Sequence, residues 1–295
     1  MAAGQLRIIR RRIRSIQSAA KITRAMELVA ASKMRRAQLN ALAARPYAER
    51  LRWVLADLAQ TLGLIDAADR NPLFQERAEI KNVELIFVTP NRGLSGSLVS
   101  NLSRRAGQFV LDQAGKPVRV IAIGRKGRDF MRRAGQEVVA EFLELGDYPA
   151  YVDVRPIAQI AIEDFLSGAA DEVYLIFAEF INTVTQRPTV FKLLPIEAPT
   201  EADKAQTGGI DYIYEPTREA VLAELLPRYI ERQVYGAILE AAASEQSARM
   251  VAMRNATDNA NELMRDLTLV YNKARQESIT SELLDIVGGV EAMSG

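Results

Sequence analysis

Apolar positions along this chain fall into two textures. From Leu6 onward, apolar and small residues recur at alternating spacings of three and four: Leu6, Ile9, Ile13, Ile16, Ala20, Thr23, Glu27, Ala30, Met34, Ala37, Ala41 and Ala44. That is the heptad spacing of a coiled coil, parallel or antiparallel. The seam turns small and then polar after Ile16, while a second stripe, Ile8, Ile22, Met26 and Val29, lies on another face. Two apolar faces predict a helix wrapped by more than one neighbour. Near the other terminus Leu225, Tyr229, Ile230, Val234, Ile238 and Ala241 form one face. A polar middle follows from Ser244 to Asn261, and then Leu263, Leu267, Val270 and Ala274 resume the stripe.

The distribution of helix breakers agrees with this pattern. All 11 prolines lie between Pro46 and Pro227; Gln5 to Arg45 contains no glycine and Arg228 to Val287 only Gly236. Uninterrupted stretches rich in Ala, Leu, Arg, Glu, Gln and Met predict two helices of ~60 and ~90 Å at 1.5 Å per residue. Helices of that length need partners. Paired antiparallel, the last would outrun the first by ~30 Å. Its end is still apolar, with Ile279, Leu283, Leu284, Ile286, Val287 and Val290, and an exposed apolar tip marks a binding surface unless it frays or folds back.

Between the helices, short β-branched runs appear: Val83 to Thr89, Val118 to Ile123, Val138 to Phe142 and Val173 to Phe177, with Thr189 to Leu194 as a final strand. Helical stretches, Ser97 to Gln113, Lys126 to Ala134 and Val152 to Leu166, alternate with them. Alternation of this kind predicts an open α/β sheet with right-handed crossovers. Pro195 to Pro216 reads as a surface loop, so the expected organisation is a helix over 1–60, an α/β domain and loop over 61–215, and a helix over 216–295.

A sheet of this type invites a nucleotide at the loop after its first strand, Thr89-Pro90-Asn91-Arg92-Gly93-Leu94-Ser95-Gly96-Ser97. Gly93 and Gly96 match neither G-x-G-x-x-G nor G-x-x-x-x-G-K-[ST], so a close-packed corner is the simpler reading. Ser95 is not in a G-x-S-x-G elbow. The chain has no His and no Cys, which removes zinc clusters of the usual ligand types, His-activated nucleophiles and disulfides. Lack of Cys also suits a reducing compartment.

The formal net charge of +1 conceals a division. Residues 1–36 carry ten basic side chains against one acid, Glu27, and the rest carry 28 against 36. Three explanations compete for the basic start. A nucleic-acid-binding helix would use Arg7 to Arg14 on phosphates, yet aromatic residues begin only at Tyr47, so nothing there stacks on bases. A mitochondrial presequence would be Arg-rich too, but the heptads run through the supposed cleavage zone. The third is a shaft helix meeting acidic neighbours. No apolar run approaches the ~18 residues of a membrane span, and no signal peptide is visible.

Three long segments carry a family resemblance. Lys21 to Met34 (KITRAMELVAASKM) near the start, and Ser244 to Ala260 (SEQSARMVAMRNATDNA) with Leu269 to Glu282 (LVYNKARQESITSE) near the end, closely resemble the γ subunit of F-type ATP synthases. Asn91-Arg92-Gly93-Leu94, Phe180-Ile181-Asn182-Thr183 and Asp211 to Pro216 extend the resemblance over essentially the whole chain. It departs at Gly289-Val290, where the family has Gly-Ala, and at Ser95, where many relatives carry Cys; the redox insertion of chloroplast relatives is absent.

The resemblance implies an antiparallel coiled coil of the terminal helices with a central open α/β, Rossmann-like domain. It implies a non-catalytic rotor shaft without cofactor or metal, coupling ion-driven rotation of the membrane ring to ATP synthesis and hydrolysis in the surrounding α and β subunits. Partners would be those subunits, the ε subunit and the membrane c-ring. Lys21, Arg24, Met26, Arg275, Gln276 and Thr280 match positions that contact β subunits, and Tyr212, Tyr214 and Glu215 match the foot on the rotor ring beside ε. Ile279, Leu283, Leu284, Ile286 and Val287 would form a bearing tip inside the α/β ring, the polar middle would face a wet cavity, and the basic helix would pass acidic β-subunit loops. The expected location is peripheral, on the cytoplasmic face of a bacterial plasma membrane. The alternative is a basic coiled coil that binds nucleic acid.

Overall fold

The computed structural model describes residues 2–61, 71–196, 215 and 217–294. The elements in order are α1 (Ala2–Thr61), a 3₁₀ turn (Pro72–Phe74), β1 (Val83–Val88), α2 (Leu98–Asp112), β2 (Val118–Ile123), α3 (Arg125–Arg133), β3 (Glu137–Phe142), α4 (Tyr151–Ser167), β4 (Glu172–Phe180), β5 (Gln186–Leu194) and α5 (Arg218–Ser294). They form two compact units, residues 1–30 with 250–295, and residues 31–249.

In the second unit the sheet order is β3-β2-β1-β4-β5. The β1 to β4 pairings are parallel and β5 runs antiparallel to β4. Both faces are covered, so β1 is buried along its whole length and shows no polar alternation. Ile86, Ile121, Val173 and Leu175 pack under α4 (Ile157, Ala161, Phe165), the first turns of α5 (Leu222, Leu226, Ile230) and Leu51 and Leu55 of α1. On the opposite face Leu85, Phe87, Val120 and Ile176 pack under α2 (Leu102, Ala106, Phe109) and Met131 of α3. Pro188 is tolerated inside β5 because that strand is an edge.

The long helices do not stop at their prolines. Pro46 lies inside α1, Pro156 inside α4 and Pro227 inside α5. Each proline forfeits one backbone hydrogen bond, at a cost of about 3 kcal/mol in a free helix. Leu51 and Leu55 beyond Pro46, and Leu222, Leu226 and Ile230 around Pro227, are buried in the sheet core. That burial, roughly 1.5–3 kcal/mol for each large side chain, outweighs the break.

In the first unit α1 and α5 pair antiparallel. The Arg10 guanidinium donates to the Tyr271 hydroxyl and lies over its ring, the Thr23 and Thr257 hydroxyls share a hydrogen bond of 2.7 Å, and Arg254 Nε donates to Glu27 Oε1 at 3.1 Å. The eighteen residues from Arg10 to Glu27 thus run against the eighteen from Tyr271 back to Arg254. In this register α5 continues about 15 residues past the start of α1, roughly 22 Å. The overhang is shorter than the ~30 Å expected from the breaker-free stretches alone.

Candidate functional site: the helix pair and its bare surface

The heptad seam of α1 is the face that becomes buried. Ile9, Ala20, Glu27, Ala30 and Ala37 are buried, and Leu6, Ile13, Ile16, Thr23, Met34 and Ala41 are half-buried. Small side chains here bring two backbones close, which lets polar layers sit inside the seam. On α5 the matching seam runs Met253, Thr257, Ala260, Met264, Leu267, Tyr271, Ala274 and Ser278, again at spacings of three and four. Leu263 and Val270, expected on that stripe, are instead exposed. The helical phase is set by Met253 and Thr257, and that phase turns Leu263 and Val270 outward.

Glu27 is the seam's one acid and is only 3% exposed. Its Oε2 accepts from Arg24 Nη1 at 2.7 Å and its Oε1 from Arg254 Nε at 3.1 Å. Burial pushes the carboxyl up, but the hydrogen bonds and charges of Arg254 and Arg24 prevail and hold it below the ordinary 4.5. Arg24, one of the residues expected to contact a partner, therefore already serves inside the chain.

The remaining expected contact residues are placed as follows. Lys21, Arg275, Gln276 and Thr280 are exposed and Met26 is half-buried at the edge of the seam. Ile279, Leu283, Leu284, Ile286 and Val287 are 48–66% exposed. Ile8, Ile22 and Val29 form an uncovered apolar stripe on α1, and Leu28, Leu263, Leu269 and Val270 are bare as well. Leu28, Leu269 and the outward turn of Leu263 and Val270 escaped the sequence reading; the available signal was simply large apolar residues off the seam. Glu215 is exposed, and Tyr212 and Tyr214 lie outside the described residues.

The α/β unit explains what became of the nucleotide-like corner. Thr89 Oγ1 accepts the Gly127 N–H at 2.8 Å and donates to the Ile123 carbonyl, while Asn91 accepts the Arg125 N–H and donates to Leu143. The Gly124 N–H goes to Phe142 and the Lys126 N–H to Pro90. The amino end of α3 is therefore consumed by the chain's own loop, leaving no donors for a phosphate. Gly124, with φ at 90°, is required there: a Cβ would stand 1.9 Å from the Thr89 carbonyl oxygen.

The strand order reverses between β1 and β4, where ligands of open α/β sheets bind beyond the carboxyl ends. That place is taken by α5. Ser244 Oγ donates to the Ala178 carbonyl at 2.9 Å, Ser247 Oγ to Thr183 at 2.8 Å, Arg249 reaches the Gly93 carbonyl at 3.4 Å, and Ala248 joins the apolar cluster of Leu98 and Ala178. The polar middle of α5, expected to face water, is in this stretch buried: Ser244, Gln246 and Ser247 are covered, and the two serines donate to the carbonyls of β4 and the turn after it. Among the described residues no group of acidic side chains is arranged to hold a metal, and no helix is long and apolar enough to cross a membrane.

Comparison with known proteins agrees with this arrangement. A family model described as ATP synthase matches residues 5–293. The ATP synthase gamma chain of Roseiflexus castenholzii is 56% identical over 290 residues, 98% of each chain. That of Chloroflexus aurantiacus is 53% identical over 290 residues, again 98% of each. Among solved structures, a chain of the Euglena gracilis mitochondrial ATP synthase, OSCP/F1/c-ring, aligns with a TM-score of 0.67 at 20% identity, covering 99% of this chain and 95% of that one. A chain of the Tetrahymena thermophila mitochondrial ATP synthase central stalk and c-ring aligns at 0.58 and 23% identity, covering 80% and 99%. These two likenesses establish the fold. With its whole length spanned by relatives that share more than half of its residues, the chain belongs to the ATP synthase gamma-chain family.

Proposed function

We propose that this chain is the central rotor shaft of an F-type ATP synthase, coupling rotation of a proton- or ion-driven membrane c-ring to ATP synthesis and hydrolysis in a surrounding ring of α and β subunits. The observation that carries the reading is the antiparallel helix pair with large apolar side chains left bare outside its seam, from Ile8, Ile22 and Val29 to the overhanging tip of Ile279, Leu283, Leu284, Ile286 and Val287. A surface of this extent needs covering by other chains. Residues 1–60 and 216–295 form the shaft segments in this reading, and 61–215 the base.

The shaft takes no part in bond chemistry. The filled crevice at the sheet's reversal point supports that reading, since α5 occupies the place where a nucleotide would lie. Its work is done by asymmetry: two unlike helices present a different set of side chains in each direction, so each surrounding site meets different contacts, and rotation exchanges them. Nucleotide affinity at a site then follows the angle, because a partner shifts a conformational equilibrium only by its differential contact energy. Lys21, Met26, Arg275, Gln276 and Thr280 are the contacts assigned to β subunits, with Arg24 sharing that role with its bond to Glu27. Tyr212, Tyr214 and Glu215 are assigned to the c-ring and ε. The complex sits peripherally on the cytoplasmic face of a bacterial membrane. The rival reading, a nucleic-acid-binding coiled coil, draws no support from the relatives.

Replacing Arg275 and Gln276 by Ala tests the assignment. Both side chains are exposed, so the isolated chain should keep its helical circular dichroism while proton-coupled ATP synthesis by reconstituted complexes falls. Undiminished coupled synthesis would remove these residues from the partner surface.

A further inference from the structure

The α/β unit holds a buried acid that the shaft role does not use. Glu84, on the central strand β1, has no exposed surface, and neither of its carboxyl oxygens has a hydrogen-bond donor. It stands in register between Arg119 of β2 and Val173 of β4, with Glu137 of β3 beyond Arg119. Arg119 is the guanidinium nearest to hand, but it is already engaged. Its Nη2 pairs with Asp164 Oδ2 of α4 at 3.2 Å and its Nη1 donates to the Ala169 carbonyl at 3.2 Å. The other charges at this corner are also committed. Asp171 accepts the Lys81 and Asn82 N–H groups, Arg77 donates to the Phe165 carbonyl, and Lys81 pairs with Glu79.

An ionised carboxylate without donors in such a place is costly, and the chain's remedy is to keep the proton. We infer that Glu84 is held as a neutral acid that donates its proton to the Asp164 carboxylate, and that losing this proton loosens the seat of α4 on the sheet, making the α/β unit a pH-sensitive element that weakens on the alkaline side. Once Glu84 ionises, two carboxylates compete for Arg119. Arg119 answers Glu84 by turning its guanidinium away from the bonds it now makes to Asp164 and the Ala169 carbonyl, and both belong to the C-terminal end of α4 and the turn after it, where the Ala170 N–H also bonds the Asp164 carbonyl. Burial and the adjoining Asp164 raise the Glu84 carboxyl from 4.5 to about 8, against a smaller opposing pull from Arg119. The burial of Glu84 and the engagement of Arg119 elsewhere point the same way.

The folded state binds a proton that the unfolded chain releases above 4.5, so stability is full below that value and falls as pH rises to about 8. Each pH unit within the window removes about tenfold from the folding constant on account of this group. Infrared difference spectra of the full chain between about pH 5 and 10 read the proton directly. A protonated-carboxyl C=O band should persist at neutral pH, disappear above it, and be missing in Glu84→Gln. In urea unfolding the same variant should lose the alkaline decline and be the more stable chain at high pH. Asp164→Asn should shift the midpoint of the band downward by a unit or more, since it removes the neighbouring charge and frees Arg119. A role confined to packing would move neither the band nor its midpoint. No such band in the wild-type chain at neutral pH, or the same alkaline decline in wild type and Glu84→Gln, would overturn the inference; the wild-type spectrum decides even if a variant fails to fold. Neither result bears on the shaft assignment, which rests on other residues.

Discussion

Two glutamates, one in each unit, are removed from water and meet opposite fates. Glu27 in the helix pair is 3% exposed and Glu84 in the sheet 0%. Glu27 keeps its charge because two guanidinium groups reach it on stems that remain largely in solvent, 58% exposed for Arg24 and 60% for Arg254. Those arginines lose little hydration to make the bonds. Glu84 faces an arginine that is itself tucked in and turned to Asp164 and the Ala169 carbonyl, so desolvation prevails. Burial alone does not decide the state of an acid; the donors left over do. The same contrast runs through the packing. The sheet unit rests on large side chains with no exposed surface, Phe87, Phe165, Leu85 and Ile157, whereas the helix pair rests on Ala20, Ala30, Ile9 and polar layers. The first keeps its largest side chains inside, and the second has a thin seam that leaves Ile8, Ile22, Val29 and the apolar groups of the tip outside.

The sharpest way to break the contrast is at the close-packed corner of the sheet. Gly124→Ala would set a Cβ 1.9 Å from the Thr89 carbonyl oxygen at a φ of 90°. Backbone must move, and with it the bond from Thr89 to Gly127, so the expected loss is on the order of 3–5 kcal/mol. Urea denaturation followed by circular dichroism checks it. A loss below about 1 kcal/mol would mean the corner is plastic, against the idea that this unit is complete and rigid.

Much of this was legible in the sequence, and the exceptions share a cause. The α1 seam from Leu6 to Ala41 was readable because a heptad is a local pattern, and β2 was found at its full length because an apolar run bounded by Pro117 and Gly124 admits little else. Pro46 and Pro227 bound the breaker-free stretches but not the helices, because local propensity there is overruled by sheet contacts from distant residues. Ser244 and Ser247 looked like a wet face, since nothing nearby in sequence announces that the carbonyls of Ala178 and Thr183 await them. Glu84 was absorbed into a strand reading of VELIFVT for the same reason: its partner Asp164 lies eighty positions away. For the site, the overhanging tip and the second stripe of Ile8, Ile22 and Val29 were visible as apolar residues off the seam. The engagement of Arg24 by Glu27 was not, because it depends on Arg254 arriving from the other helix.

A second test separates the two glutamates by pH. The carboxyl of Glu27 is held below 4.5, so its contribution is fully present above that value and is lost as pH falls through the folded-state value. Glu27→Gln should cost about 1.5–3 kcal/mol at neutral pH, the worth of hydrogen bonds to a charged group. The gap between variant and wild type should close in acid. Glu84 loses its contribution in the opposite direction, so the chain as a whole is predicted to weaken at both ends of the pH range for different local reasons. Thermal unfolding of the two variants across pH measures this, and a Glu27→Gln gap that grows in acid would reverse the assignment.

The smallest effect expected on the isolated chain carries the most functional information. Ile22 is 60% and Val29 55% exposed, and neither belongs to the buried seam, so Ile22→Ser with Val29→Ser leaves the seam packing in place. Stability should stay within about 0.5 kcal/mol of the original, and exposed apolar surface on the helix pair should fall. In the assembled complex the same stripe is where surrounding chains are proposed to bear on the shaft, so the double variant should assemble poorly or couple loosely. Sedimentation of the reconstituted complex and its ATP-driven proton pumping read the two outcomes. If instead the isolated chain lost several kcal/mol, the stripe would be packed against this chain's own residues, and the helix pair would be as self-sufficient as the sheet. If assembly and pumping were untouched, the bare face would have no partner at Ile22 and Val29, and the bearing surface would have to be sought on the side of α5 that carries Leu263 and Val270.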